Sequence, residues 1–171
     1  MFSKTDHVRI IEEIARGMAL AGIANRYLEL GIAKCKCFNK IAKYFKVVES
    51  VDINNCIGYI DDVIFEEKHC YNYVSTTDEY FARFYVDDFV FNLVFIDASH
   101  KFENVKKDFE NSLKCLAKNG IIIIHDTHSP SKEWDQHCED AHKIEPYIKK
   151  KYPELSVFTI PLFFGLTLVR Y

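Results

Sequence analysis

Residues able to bind or activate a small molecule occur in this sequence at the ends of apolar runs. Carboxylates accept hydrogen bonds from hydroxyl groups or bind cations, and an imidazole titrates near neutral pH. The segments that carry such residues are Glu29-Leu30-Gly31, Asp52-Ile53-Asn54, Ser75-Thr76-Thr77-Asp78, Asp97-Ala98-Ser99-His100 and His125-Asp126-Thr127. Their common placement predicts that one edge of the structure gathers them.

Gly31 and Asp52 form the first candidate pair. Gly31 follows the apolar segment RYLEL, where a backbone without a Cβ can approach a ligand closely, and Asp52 ends VVESVD 21 residues later. In nucleotide-binding sheets a carboxylate at about that separation accepts both hydroxyls of a ribose. The alternative is a left-handed turn at Gly31 and an aspartate that only caps a loop.

Apolar periodicity predicts the elements that must position these residues. Helices are expected over 7–20, 37–45, 57–65, 78–84 and 102–116, with a last helix ending at Lys151, and Asn119-Gly120 is expected to close the fifth helix in a left-handed terminus. Strands are expected over 27–30, 47–53, 71–74, 89–97 and 121–126, followed by two strand-like runs joined around Pro161 to Gly165.

Strands that alternate with helices predict a doubly wound α/β sheet, because crossover helices must cover both faces. We expect seven strands, mostly parallel, with the C-terminal strands antiparallel. In such a sheet the binding crevice lies beyond the carboxyl ends of the strands, which is where the polar segments fall. One domain is expected over 1–171, with an N-terminal helix in 1–24 and a binding core over 25–171.

Composition excludes several classes of protein. A hydrophobic share of 49% in 171 residues is typical of a folded core, and a net charge of -3 does not favour a nucleic acid partner. No apolar run approaches the ~20 residues that span a bilayer, so no membrane role is expected. Six cysteines without a leader peptide predict reduced thiols in a cytoplasmic protein.

Five motifs in this order resemble the class I S-adenosylmethionine-dependent methyltransferases. They are YLELG, SVDIN, YVSTTDEYF, LVFIDASHKFENVKKDFENSLKCLAKNGIIIIHDT and TIPLFFGLTLVRY. The nearest branch is the small O-methyltransferases of the catechol and macrocin types, and the likeness covers about residues 25–171. The resemblance implies a Rossmann-like fold, S-adenosylmethionine as the methyl donor and a small hydroxylated acceptor.

The resemblance also implies which residues bind the cofactor. The implied set is Glu29, Gly31, Ala33, Cys37, Asp52, Ile53, Thr76, Thr77, Asp78 and Asp97. Glu29 and Gly31 would flank the methionine part, Asp52 would hold the ribose, and Ile53 would pack on the adenine. Where Cys35 stands the family has glycine, so its side chain is expected to narrow the methionine pocket.

Catalytic roles follow from the same resemblance. His100, with Asp97, occupies the position of a general base, although a surface histidine at a helix start is the alternative. Asp97 and Asp126 resemble two carboxylate ligands of Mg²⁺ in the catechol branch. The third ligand of that branch, Asn or Asp, is Thr127 here. This substitution favours a metal-independent reaction in which His100 acts alone.

Several alternatives stay open. The chain could be a catalytically degenerate module that binds S-adenosylmethionine or only a partner, whereas the absence of G-x-G-x-x-G argues against a nicotinamide-dependent oxidoreductase. A soft-metal site is a further alternative, and its candidate ligands are His125, His128, His137, Cys138 and His142. The short segments around the expected site leave it open, or a partner subunit closes it in a homodimer.

Overall fold

The computed structural model describes residues 6–84, 90–162 and 164–171, and for Asp6 and Phe84 the backbone alone. Its strands are β1 (Arg26–Leu30), β2 (Val47–Asp52), β3 (His69–Val74), β4 (Phe91–Ile96), β5 (Leu116–His125), β6 (Ser156–Ile160) and β7 (Leu166–Arg170). Its helices are α1 (Asp6–Leu20), α2 (Lys36–Ala42), α3 (Asp62–Glu67), α4 (Thr77–Phe84), α5 (Phe102–Lys114), α6 (Asp135–Cys138) and α7 (Ile144–Lys151).

All seven described strands form one sheet in the order β3-β2-β1-β4-β5-β7-β6. Strands β1 to β5 pair in parallel, and β7 runs antiparallel to both β5 and β6. The predicted doubly wound sheet with an antiparallel C-terminal pair is therefore confirmed. Strand β1 lies between β2 and β4 in the sheet, so the strand order reverses direction at β1. Such a reversal leaves a crevice at the carboxyl ends of β1 and β4.

The core lies on both faces of the sheet because the central strands are buried throughout. Every residue of β4 is buried, as expected for a central parallel strand. Alternate residues of β1 face opposite sides: Tyr27 stacks on Phe38 and Phe45 beneath α1 and α2, whereas Leu28 packs with the α5 and α7 side. None of the described helices is both long and apolar enough to cross a bilayer.

The predicted helix terminus at Asn119-Gly120 is wrong. Helix α5 ends at Lys114, and Gly120 lies inside β5 without a positive φ. A Cβ on Gly120 would lie 2.7 Å from Leu116 Cδ1 and 2.9 Å from the carbonyl oxygen of Phe91. The β4–β5 register shifts between Phe91 and Leu93, so this glycine permits a close approach at an irregular strand pairing.

Two predicted helices are broken. The segment expected as one helix over 57–65 is a 3-10 turn (Ile57–Tyr59) followed by α3, because Ile60 is extended between them. The segment ending at Lys151 is divided into short pieces, and Glu139 adopts φ 43° directly after α6. The predicted strand over 89–97 begins at Phe89, which lies outside the described residues.

Candidate functional site

Gly31 lies where the ends of β1 and β4 touch. Its φ is +82°, and a Cβ there would lie 2.5 Å from the carbonyl oxygen of Asp97 and 2.6 Å from Ala98 Cα. The Gly31 amide donates to the carbonyl of Val51 at 2.8 Å. Only glycine accommodates both this conformation and this contact without displacement.

Asp52 orders the loop that follows β1. Its Oδ2 accepts hydrogen bonds from the amides of Ile32 and Ala33, each at 3.0 Å. Its Oδ1 accepts from the Asn54 amide at 2.8 Å and from Asn54 Nδ2 at 3.2 Å. Burial raises the pKa of Asp52, but the backbone hydrogen bonds outweigh burial and lower it below the usual value. The loop-capping interpretation of Asp52 is therefore realised in the fold.

Ala33 and Cys35 both adopt left-handed backbone conformations, with φ 43° and 56°. Non-glycine residues pay a steric cost there, which agrees with the glycine that the resemblance places at Cys35. The Cys35 thiol is buried and directed at the carbonyl of Cys56, 3.6 Å away, and burial raises its pKa to about 12. The sulfur lines neither of the two cavities that adjoin at Gly31, and its narrowing of the methionine pocket stays a prediction.

Two cavities adjoin at Gly31. The first, of about 110 Å³, is lined by Gly31, Asp52, Ile53, Thr76 and Thr77 among others. The second, of about 390 Å³, is lined by Glu29, Gly31, Ala33, Cys37 and Asp97 among others. Nine of the ten residues that the resemblance implies for cofactor binding therefore line one or both of these cavities.

Asp78 is the exception. Its carboxylate accepts a hydrogen bond from Lys107 at 3.1 Å on the surface, away from both cavities. Thr76 has a structural role besides its place on the first cavity. Its hydroxyl accepts from the Glu79 amide at 3.2 Å, and Glu79 Oε2 accepts from the Thr76 amide at 3.1 Å, a reciprocal cap that begins α4.

Glu29 presents a buried carboxyl to the second cavity. Burial raises its pKa well above the usual value, the hydrogen bond from the Tyr27 hydroxyl opposes that rise, and the nearby Asp97 adds to it. Burial therefore disfavours the charged form of Glu29, and the Tyr27 hydroxyl donates to one of its oxygens.

A histidine–carboxylate cluster borders the second cavity, and we define it as Asp97, His100, His125, Asp126 and His137. His125 Nδ1 lies 3.0 Å from Asp97 Oδ1 and 3.3 Å from Asp126 Oδ2. His100 Nε2 lies 2.8 Å from Asp126 Oδ2, and the Nδ1–H of His100 donates to the carbonyl of His137 at 2.6 Å. Of these five, Asp126 is the most deeply buried, at 1% exposure, and adopts φ 57°.

The two carboxylates determine the charge of the histidines. The hydrogen bond that His100 donates to Asp126 raises the pKa of His100 to about 9, against the effect of burial. Burial lowers the pKa of His125, but Asp97 and Asp126 together raise it to about 10. Burial raises the pKa of Asp126, yet the two histidines hold it far below the usual range. At neutral pH the cluster therefore contains two imidazolium groups, and both of them face the Asp126 carboxylate.

Sequence reasoning missed His7 as a contributor to this region and named His137 only as a candidate soft-metal ligand. The ring of His7 in α1 packs against that of His125, with centroids 4.1 Å apart and the planes tilted by 40°. His137 Nε2 lies 3.6 Å from Asp126 Oδ1. Among the described residues, two trios offer ligand atoms within 4.8 Å of one another: His100 with Asp126 and His137, and Asp97 with His125 and Asp126. His128, Cys138 and His142, members of the soft-metal alternative, belong to neither trio.

The sheet order and the crevice at β1 and β4 define a doubly wound nucleotide-binding type of α/β domain. Residues 28–127 match a family model described as a methyltransferase domain, and the chain belongs to that family. No protein of curated function matches the sequence. The resemblance inferred from the five motifs is thereby confirmed.

Solved structures share the fold over nearly the whole chain. The O-methyltransferase from Bacillus cereus in complex with SAH is 16% identical, with 100% of this chain and 83% of that chain covered and a TM-score of 0.75. TomG from Streptomyces achromogenes, an O-methyltransferase of tomaymycin synthesis solved with SAM, is 12% identical (98% and 80% covered, TM-score 0.74). The N-methyltransferase NodS from Bradyrhizobium japonicum is 15% identical (97% and 96% covered, TM-score 0.65). At these identities the likeness shows the fold alone.

Proposed function

We propose that the protein transfers the methyl group of S-adenosylmethionine to a hydroxyl of a small acceptor. One observation carries the proposal: the two cavities that meet at Gly31 open beside the histidine–carboxylate cluster. The SAH- and SAM-bound O-methyltransferases of similar fold support the choice of donor and of reaction.

In this proposal the adenosine of the donor lies in the first cavity and its methionine part in the second. Gly31 lines both cavities, so the donor would cross its backbone. The four hydrogen bonds already accepted by Asp52 fill its carboxylate, so a ribose hydroxyl would replace the longest of them, that from Asn54 Nδ2 at 3.2 Å. Ile53, whose side chain is 71% exposed, would then pack on the adenine.

The protein has two tasks in methyl transfer: to align the acceptor oxygen with the sulfonium methyl and to remove the hydroxyl proton. We assign proton removal to Nε2 of the neutral form of His100, which is populated as pH rises toward its pKa of about 9. Its ring is held from the other side, since Nδ1–H donates to the His137 carbonyl, and this fixes the tautomer. Asp97 and Asp126 orient the imidazole and stabilise the imidazolium that forms.

The donor set fits Mg²⁺ poorly. Mg²⁺ prefers octahedral oxygen ligands and retains several waters. Here Asp97 Oδ1 and Asp126 Oδ2 each face imidazole nitrogens at 2.8–3.3 Å, and the position of the third family ligand is Thr127. We therefore propose a reaction that does not use Mg²⁺.

The test is methyl transfer from labelled S-adenosylmethionine to a panel of catechol- and sugar-like acceptors, with and without chelator. We expect chelator to have no effect, and His100→Ala to lose about 10²–10⁴ in rate while S-adenosylhomocysteine affinity is retained. The matched control is His142→Ala, since His142 is exposed and outside the cluster. Full activity of His100→Ala would remove His100 from the reaction.

A catalytically degenerate, cofactor-binding module is the second candidate. The strained left-handed Ala33 and Cys35 and the threonine at position 127 favour it. Binding of S-adenosylhomocysteine without turnover of any acceptor in the panel would select this candidate over the enzyme.

We further propose a single domain over 1–171 that acts in the cytoplasm as a homodimer and does not bind nucleic acid. Six free cysteines support a reducing compartment. The edge formed by α3 and β3 exposes Val63, Phe65, Tyr71 and Val74, which supports self-association. Sedimentation equilibrium that shows only monomer at micromolar concentrations would refute the dimer.

A further inference from the structure

Positive charge is concentrated in one segment of this acidic protein. Residues 31–46, which form α2 and the loops on either side of it, contain five lysines and no Asp or Glu, although the net charge of the chain is -3. Arg9 of α1 adds a further cation beside this segment, because α1 packs against α2. The result is a basic face next to the second cavity.

A third cavity, of about 440 Å³, lies on this basic face. Arg9, Lys36 and Lys40 line it together with Val8, Asn39 and Asp61. Val8 and Lys36 also line the second cavity, so the two cavities adjoin. A molecule that extends from the third cavity into the second would reach the position assigned to the methionine part of the donor.

The cations of this face differ in whether an acid already neutralises them. Glu12 forms ion pairs with Lys43, whose Nζ lies 2.8 Å from Oε1, and with Lys40, whose Nζ lies 3.9 Å from Oε2. Arg9, Lys34 and Lys36, by contrast, make no side-chain hydrogen bond or ion pair with any residue in the described ranges. Among the described residues that line the third cavity, Asp61 is the one carboxylate. Unpaired cations that share a cavity repel one another, and an anion bound among them would relieve that repulsion.

We propose that the third cavity is an anion subsite for the methyl acceptor, so that the acceptor carries a carboxylate or a phosphate beside the hydroxyl that is methylated. The planar guanidinium of Arg9 can donate two parallel hydrogen bonds to such a group. The ammonium of Lys36, which lines both the second and the third cavity, adds a second positive charge. This inference rests on the proposed function, because it specifies the substrate class of the same site. Neutral hydroxylated acceptors would bind the same surface more weakly.

The test is calorimetric binding to the protein saturated with S-adenosylhomocysteine. The probes are 3,4-dihydroxybenzoate, its neutral analogue 3,4-dihydroxybenzyl alcohol, and inorganic pyrophosphate. We expect at least one anion to bind roughly tenfold or more tightly than the neutral analogue, as a charge-assisted contact provides. The comparison of benzoate with pyrophosphate distinguishes a carboxylate from a phosphate subsite.

Arg9→Gln and Lys36→Gln should each weaken anion binding by roughly tenfold. Arg9 lines the third cavity but not the second, so Arg9→Gln should also leave S-adenosylhomocysteine affinity within a factor of two. Lys118→Gln is the control, because Lys118 is exposed on the opposite end of β5. The inference is overturned if neither anion is preferred, if the variants bind anions as tightly as the wild type, or if Arg9→Gln loses S-adenosylhomocysteine affinity instead. Failure of the wild type to bind S-adenosylhomocysteine would refute the proposed function itself.

Discussion

His100 is the residue whose environment makes the sharpest prediction about pH. Its pKa is raised to about 9 by the hydrogen bond to Asp126, so at pH 7 most of the protein holds a protonated His100 that cannot accept a proton. As pH rises through about 9, His100 loses its proton and can act as a base. We expect kcat/KM to rise about tenfold per pH unit below pH 9 and to become constant above it. We call this rise the limb of the pH profile.

Asp126→Asn tests the cause of that limb. Removal of the carboxylate charge should move the limb toward the ordinary imidazole pKa of about 6.5, so the variant should gain relative activity near neutral pH. His137→Ala is a useful comparison, because it removes the imidazole that lies 3.6 Å from Asp126 Oδ1 but retains the backbone carbonyl that accepts from His100. A limb that stays at the same pH in Asp126→Asn would show that another group titrates.

Cys35→Gly tests whether Cys35 affects the protein through its left-handed backbone or through the space that its side chain takes from the cofactor pocket. Glycine avoids a left-handed penalty of about 1–2 kcal/mol, while the variant loses a buried thiol. Because the sulfur faces the Cys56 carbonyl, we expect S-adenosylhomocysteine affinity to change less than about threefold and the free energy of unfolding to change by about 1 kcal/mol or less. Tightening by more than tenfold in calorimetry would show that the thiol obstructs the ligand.

At the scale of elements, Gly31 allows the end of β1 to pack closely against the loop that follows β4. Gly31→Ala should lower the free energy of unfolding by more than about 2 kcal/mol, because the added Cβ meets backbone at 2.5 Å and φ is +82°. Gly17→Ala is the matched control: its added Cβ meets nothing within 4 Å inside α1, and it should stabilise by about 0.5–1 kcal/mol. Urea unfolding of both variants measures the difference, and equal stability would contradict the close approach.

The contact between α4 and α5 contains a second titrating group, Asp108. Burial raises its pKa to about 7, a hydrogen bond from Thr77 opposes the rise, and its Oδ2 has no hydrogen-bond partner. The folded state therefore holds a proton that the unfolded state has already released, so this contribution to stability is lost as pH rises from about 4 to about 7.

Asp108→Asn removes the charge and should flatten this pH dependence. We expect the variant to be more stable than the wild type by about 1–3 kcal/mol at pH 8, with little difference at pH 4. Thermal unfolding across that pH range is the measurement. A variant that is less stable at pH 8 would show that the Asp108 carboxylate is charged and favourably paired.

At the scale of the whole molecule, cofactor binding should stabilise the fold by mass action. S-adenosylhomocysteine at a hundred times its Kd should add about 2.7 kcal/mol, which raises Tm by about 5–10 °C for a chain of this length. NAD at the same concentration should leave Tm unchanged, because the β1 loop lacks the glycines of a dinucleotide site. A shift with NAD alone would favour the oxidoreductase alternative.

The sequence alone determined the order of the strands and helices, the edge at which the polar segments gather, and the methyltransferase family. These features depend on local patterns: alternation of apolar residues is set by burial on one or two faces, and the short motifs remain contiguous in the chain. The broken last helix and the role of Gly120 depart from those patterns, because both depend on contacts with β4 and the sheet edge that local periodicity does not contain.

Only the tertiary structure decided how the site residues are used. The Asp52 carboxylate accepts hydrogen bonds from the amides of Ile32 and Ala33. The Cys35 sulfur is directed at the carbonyl of Cys56. His7 and His137 join the cluster from segments more than a hundred residues apart in the chain, and no spacing signals such a meeting. The pKa values of His100 and His125 follow from that assembly, since charge interactions depend on distance through space rather than on separation along the chain.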